Sequence, residues 1–366
     1  MVQFELLRIL AMCGVVMNHV FNYGLHIYGD FRVDTSTPAG WLLWAVLELM
    51  KLICLPSVNC YILITGYFLI NRSTLRLKGA WKVWSTTWIY AVGIYLLSVA
   101  FGAIPFEWNE LQRHATPLLS NSYWFVTSYI VLLLFAPSLS WGLQRMSKRQ
   151  YQVALAVGGI VCFQPLLGQF TMDYLQILLF VYLFMIGGYI RRFTEKTSLK
   201  KYSIIAYTGI LMVMFAYTLY KNKPLNNSSF TIYAMTYHGL VLPLSVALFM
   251  IVKEWRIKKT MVRKCVLTVA PLSFAVYIIH TQSVVDSWLW TVSAEWLSNC
   301  HTSFLPIACT AITISVFLVC ILAEYIRVLI VRGALKLKTS LTSRTSIRRR
   351  YSSDNDETRQ KKQMTS

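Results

Sequence analysis

The chain has 366 residues, 56% of them hydrophobic and only 14% charged, with a mean hydropathy of +0.52. A soluble domain carries about 25% charge, so a soluble globular protein is excluded. The net charge of +20 would suit nucleic acid, but the basic residues gather in alternate loops and in the tail, the positive-inside pattern of membrane proteins, and no nucleic-acid partner is expected.

Apolar runs long enough to cross a bilayer recur from end to end. They are too long for barrel strands, and backbone groups in lipid must pair within their own segment. The expected fold class is all-α, a polytopic integral membrane protein of about ten transmembrane helices. In chain order the helices are expected over residues 6–28, 41–70, 83–104, 123–141, 151–167, 173–190 and 203–220. An eighth ends near residue 252, and the last two cover 266–290 and 304–330. The fifth is the weakest, short and broken by Pro165, and Pro56 interrupts the second. The loops after the second, fourth, sixth and eighth helices hold nearly all the lysine and arginine, as does the tail. Both termini are therefore expected in the cytoplasm. Dropping the fifth helix would reverse everything after it and spoil that pattern.

Residues 1–332 are expected to form the transmembrane domain, and residues 333–366 a basic, disordered cytoplasmic tail with almost nothing to bury. The tail's Arg348-Arg349-Arg350 cluster suits contact with anionic lipid heads. The N-terminus has no basic leader or small-residue cleavage site, so it reads as a retained first span. The eight cysteines form no CxxC pair and lie mostly in apolar runs. They read as small buried hydrophobes, with Cys300 in an outer loop as the exception, and no metal set is expected.

Chemistry is sought among ionisable residues inside the spans, which are costly and usually face a protein interior or a wet cavity. Arg8 and His19 stand eleven positions apart in the first helix. Eleven steps of about 100° return to within about 20° of the start and rise about 16 Å. The pair therefore shares one stripe, Arg8 near one surface and His19 well inside, and it reads either as an anion-holding, proton-transferring cleft or as a snorkelling arginine and a structural histidine. Glu5 stands one turn before Arg8, placed either to orient it or to be its surface partner. Glu48 and Lys51 are spaced to neutralise each other. His238 and His280 also lie in spans, Tyr277 one turn before His280, with Asp286 beyond; Asp173 and Glu324 are weaker candidates. No GxSxG, HExxH, P-loop or dinucleotide fingerprint is present.

Four stretches resemble, in the same order, segments of the acyltransferase-3 family of membrane acyltransferases. Glu5-Leu6-Leu7-Arg8…His19 resembles its arginine–ten residues–histidine signature. Asn59-Cys60-Tyr61-Ile62-Leu63-Ile64-Thr65-Gly66-Tyr67-Phe68-Leu69 resembles its second-helix segment, with Thr65 where serine is usual and Cys60-Tyr61 in place of a phenylalanine pair. Tyr123-Trp124-Phe125-Val126-Thr127-Ser128-Tyr129 resembles its tryptophan–phenylalanine–tyrosine segment, followed by Pro137. Phe274-Ala275-Val276-Tyr277-Ile278-Ile279-His280 resembles its late tyrosine–histidine segment. Arg72 and Arg76 stand one residue further apart than the family's usual arginine pair.

The resemblance implies acyl transfer, usually acetyl from cytoplasmic acetyl-CoA, to a hydroxyl of a surface polysaccharide, exopolysaccharide or lipid-linked glycan precursor. It implies a bacterial cytoplasmic (inner) membrane location, with acyl-CoA as co-substrate, a glycan acceptor and membrane lipids as partners, and no bound cofactor. His19 is the expected general base or acyl relay, Arg8, Arg72 and Arg76 the donor-binding residues, and Tyr129, Tyr277 and His280 supporting or acceptor-side residues. A multi-span transporter or flippase is the alternative from the buried charges alone, though no repeat or paired broken helix is visible. A glycan polymerase would be expected to show a longer outer loop.

Overall fold

The computed structural model describes residues 1–27, 33–72, 74, 77–120, 122–163, 175–194, 199–221 and 239–333. Asp173, Arg76, His238 and the expected tail beyond residue 333 lie outside the described residues. The chain divides into two units, Met1–Cys320 and Ile321–Ser366.

All regular structure among the described residues is helical. Helix α1 (Val2–His19) runs straight into wider π-type turns over Val20–Ile27. Helix α2 (Pro38–Cys54) starts where the Thr37 side chain accepts a hydrogen bond from Gly40 N and Pro38 fills the first turn. Pro56 then breaks the run, because it lacks the N–H the helix needs. The Ser57 hydroxyl donates to the Cys54 carbonyl across the break at 2.5 Å, and α3 (Ser57–Leu69) follows.

Next come α4 (Leu77–Ala100), the short α5 (Trp108–Ala115), α6 (Trp124–Arg145), α7 (Lys148–Phe163), α8 (Leu175–Phe193), α9 (Lys200–Lys221) and α10 (Val241–Lys253). Helix α11 (Thr260–Val269) passes through one 3-10 turn at Pro271 into α12 (Ser273–His280), and α13 (Ser283–Ser298) and α14 (Thr302–Gly333) complete the order.

Eight helices among the described residues are long and apolar enough to cross a membrane. The fifth and eighth expected spans correspond to the shorter described helices α7 and α10. Large apolar side chains such as Ile205, Val213, Leu318 and Val319 are exposed on the outside, as expected where lipid rather than water is the solvent.

The ninth expected helix is corrected. The span that begins at Thr260 ends at His280, and residues 283–290 belong to a separate helix. Gln282 adopts extended backbone, and its side-chain oxygen accepts from Val284 N and Val285 N at 2.9 and 3.1 Å. Capping these otherwise orphaned donors rewards a corner over a continuous helix. His280 therefore sits at the inner side of a corner, not in mid-span. Gln282→Ala removes this cap and is expected to cost about 1 kcal/mol, measurable as a lower thermal midpoint in detergent.

Close packing fixes the inner helices. A Cβ placed on Gly66 of α3 would lie 2.2 Å from the Phe184 carbonyl oxygen of α8, and one on Gly187 of α8 would lie 2.3 Å from the Leu63 oxygen. Small residues at such a crossing let the two backbones approach, which is how helices associate in lipid. Helices α1 and α3 run antiparallel: Phe4 packs on Tyr67 and Phe68, while Gly14 faces Ser57. Met17 and the π-type turns bury Val20, Phe21 and Leu25 against Leu47 of α2, Trp290 and Leu297 of α13 and Leu305 of α14. Glu48 and Lys51 are both buried one turn apart on α2 and interact electrostatically.

Candidate active site

Helix α1 carries Arg8 and His19 as the spacing demands. At the Arg8 end, the Glu5 carboxylate lies 2.6 Å from the guanidinium, with both side chains about a third exposed (31% for Arg8 and 26% for Glu5). The Tyr61 hydroxyl of α3 donates to the Arg8 backbone carbonyl at 2.7 Å. This bond ties the two helices together beside the guanidinium.

His19 is the last residue of α1 before the π-type turns. It is half-buried and lines a pocket of about 40 Å³ whose other walls include Tyr61, Trp124, Phe125, Phe274 and Tyr277. Tyr277, expected as a supporting residue, is thus on the pocket wall. Tyr61, Trp124 and Phe125 stand in stretches that carry the resemblance, but nothing in their spacing assigns them a place at the site. Their part depends on α3 and α6 converging on α1, which only the tertiary structure supplies.

His280 is fully buried and meets His19 directly, its Nε2 3.0 Å from His19 Nδ1. Its other ring nitrogen, Nδ1, lies 2.5 Å from the Val276 carbonyl oxygen one turn earlier. Trp290 packs edge-on against both imidazoles, with ring centres 6.2 Å from each, and its indole N–H donates to Asp286 at 2.8 Å. Tyr23 packs edge-on to His19 and stacks on Trp290. The histidine pair is therefore boxed by aromatic rings, an environment that strengthens its hydrogen bonds.

Tyr129 is placed differently from the pocket wall. Its hydroxyl lies 3.2 Å from Thr65 Oγ1, which donates to the Tyr61 carbonyl at 2.9 Å, and its ring stacks on Phe125. The hydroxyl kept at position 65 thus links α3 to α6 beneath Tyr61. Arg72 lines a separate wide cleft of about 980 Å³ with Lys78, between the end of α3, the start of α4 and Pro137 of α6. Glu324 is paired within its own unit, both carboxylate oxygens lying 2.6 Å from Arg327.

Three buried polar atoms have no hydrogen-bond partner among the described residues and adjoin the site in sequence: Asn18 Oδ1, the Tyr123 hydroxyl and Gln282 Nε2. Asn18 precedes His19, Tyr123 precedes Trp124, and Gln282 follows His280 by two. Buried polar groups are nearly always satisfied by protein or by ordered water. Their burial could not be read from spacing.

The family model described as an acyltransferase domain matches residues 1–325. No curated protein and no solved structure matches the chain.

Proposed function

Because the chain belongs to the acyltransferase-3 family, we propose that this membrane acyltransferase moves an acetyl group from cytoplasmic acetyl-CoA to a hydroxyl of a surface or lipid-linked glycan. The observation that carries the reading is the position of His19, on the wall of a small aromatic pocket with one ring nitrogen already engaged by His280. In this reading Arg8 holds a phosphate of the donor at the cytoplasmic end, where a guanidinium can give two parallel hydrogen bonds. The helix separates Arg8 from His19 by about 16 Å, a distance an extended pantetheine arm can cross.

His19 takes the proton of the acceptor hydroxyl as its oxygen attacks the thioester carbonyl carbon. A C–O bond forms, the C–S bond breaks, and the proton passes to the departing thiolate. The basic loops support a cytoplasmic donor side, and the envelope of a bacterial inner membrane is the setting this chemistry suits.

The test is to add acetyl-labelled acetyl-CoA to inverted membrane vesicles that contain the protein. Base-labile label on glycan is expected. Label accumulated inside without an ester would instead favour transport. Arg8→Ala is expected to raise the KM for acetyl-CoA by about 10–100-fold, the value of a charge-assisted phosphate contact, with a smaller change in kcat. An unchanged KM in steady-state assays would remove Arg8 from the donor site.

A further inference from the structure

We propose that His280 is a positioning residue that fixes the tautomer of His19 and so leaves His19 Nε2 as the base. The inference rests on the reading of His19 as the group that takes the acceptor's proton. A neutral imidazole has one N–H donor and one acceptor nitrogen. The Val276 carbonyl can only accept, so the 2.5 Å contact places a hydrogen on His280 Nδ1. His280 Nε2 is then the acceptor, and the hydrogen in the 3.0 Å contact belongs to His19 Nδ1. His19 Nε2 keeps its lone pair, on a ring that lines the pocket.

Two observations make this a built arrangement. Val276 and His280 are one turn apart on α12, so the carbonyl that orients His280 comes from its own helix. The α12 helix then ends at the corner capped by Gln282, and Trp290 packs edge-on against both rings. When His19 accepts the acceptor's proton at Nε2 it becomes an imidazolium, and its Nδ1–H bond to His280 becomes charge-assisted. His280 itself takes no proton in this step. It plays the part that a backbone carbonyl or carboxylate plays for other catalytic histidines, holding one nitrogen so that the other is available.

The test uses the full chain, labelled with nitrogen-15 histidine and purified in lipid nanodiscs, with His19 assigned by comparison with His19→Gln. At neutral pH His19 Nε2 is expected to give the resonance of an unprotonated nitrogen and Nδ1 that of a protonated one. His280→Phe is expected to mix the two tautomers and to lower kcat about 100-fold while the KM for acetyl-CoA stays the same. His280→Gln, whose side-chain oxygen can accept from His19 Nδ1, is expected to return kcat to within about tenfold of the wild type. A wild-type His19 carrying its hydrogen on Nε2 would overturn the proposal, whatever the variants do. So would a His280→Phe protein with the wild-type tautomer and kcat. If the tautomer is as stated but no acetyl ester forms, the acetyl-transfer reading fails and the assignment of the ring nitrogens stands.

Discussion

His19→Ala is expected to leave the protein folded in the membrane and to lower acetyl transfer by about 10²–10⁴-fold, the range a positioned general base supplies. The side chain is half-buried and lines a pocket, so truncation opens space and leaves little unsatisfied on its own helix. Among the described residues its direct polar partner is His280 Nε2, and a water can replace it there. The loss should fall on kcat, because the Arg8–Glu5 pair and the Tyr61 bond to the Arg8 carbonyl lie about 16 Å away along the helix. Steady-state rates with labelled acetyl-CoA, beside the amount of protein in the membrane, measure both halves of the expectation. A variant that accumulates normally and transfers acetyl at the wild-type rate would end the assignment of His19.

Gly66→Leu is expected to have the largest effect on stability. Its Cβ would lie 2.2 Å from the Phe184 oxygen and 2.7 Å from the Phe184 Cα. Both are backbone atoms of α8, so no side chain can turn aside to make room. Overpacking a well-filled core costs about 1–3 kcal/mol even when side chains can adjust, and here two helices must separate. A loss of at least about 3 kcal/mol is expected, measured as a lower thermal midpoint in detergent or as failure to purify as a single species. Activity should fall too, since α3 also carries Tyr61 of the pocket and Thr65, which meets Tyr129. Gly93→Ala is the control. Among the described residues nothing lies within 4 Å of a Cβ at Gly93 in α4, so the alanine is expected to be neutral or to stabilise by up to about 1 kcal/mol.

The spans and the Arg8–His19 stripe were legible in the sequence because they follow from local periodicity and from the cost of charge in lipid. The pairing of Glu5 with Arg8 was legible for the same reason, as neighbours one helical turn apart. The corner at Thr281–Gln282 was missed because the run stays apolar on both sides, and only a side-chain cap tips the balance towards a break. The contact between His19 and His280 joins residues 261 positions apart. Each residue stood out alone, yet no spacing rule could bring them together. Likewise no spacing rule could place Tyr61 and Trp124 on the wall of the His19 pocket or Trp290 against both imidazoles, since three separate helices bring them there. Arg72 was singled out through the resemblance, and it lines a cleft of its own.

The most direct measurement of the central claim uses the purified chain, reconstituted in lipid with acetyl-CoA and a lipid-linked glycan. Release of the CoA thiol and formation of the glycan ester are followed together for the wild type and His19→Ala. One thiol is expected to be released for each ester formed by the wild type, with both products lowered about 10²–10⁴-fold in the variant. Equal ester formation by the two proteins would contradict that claim.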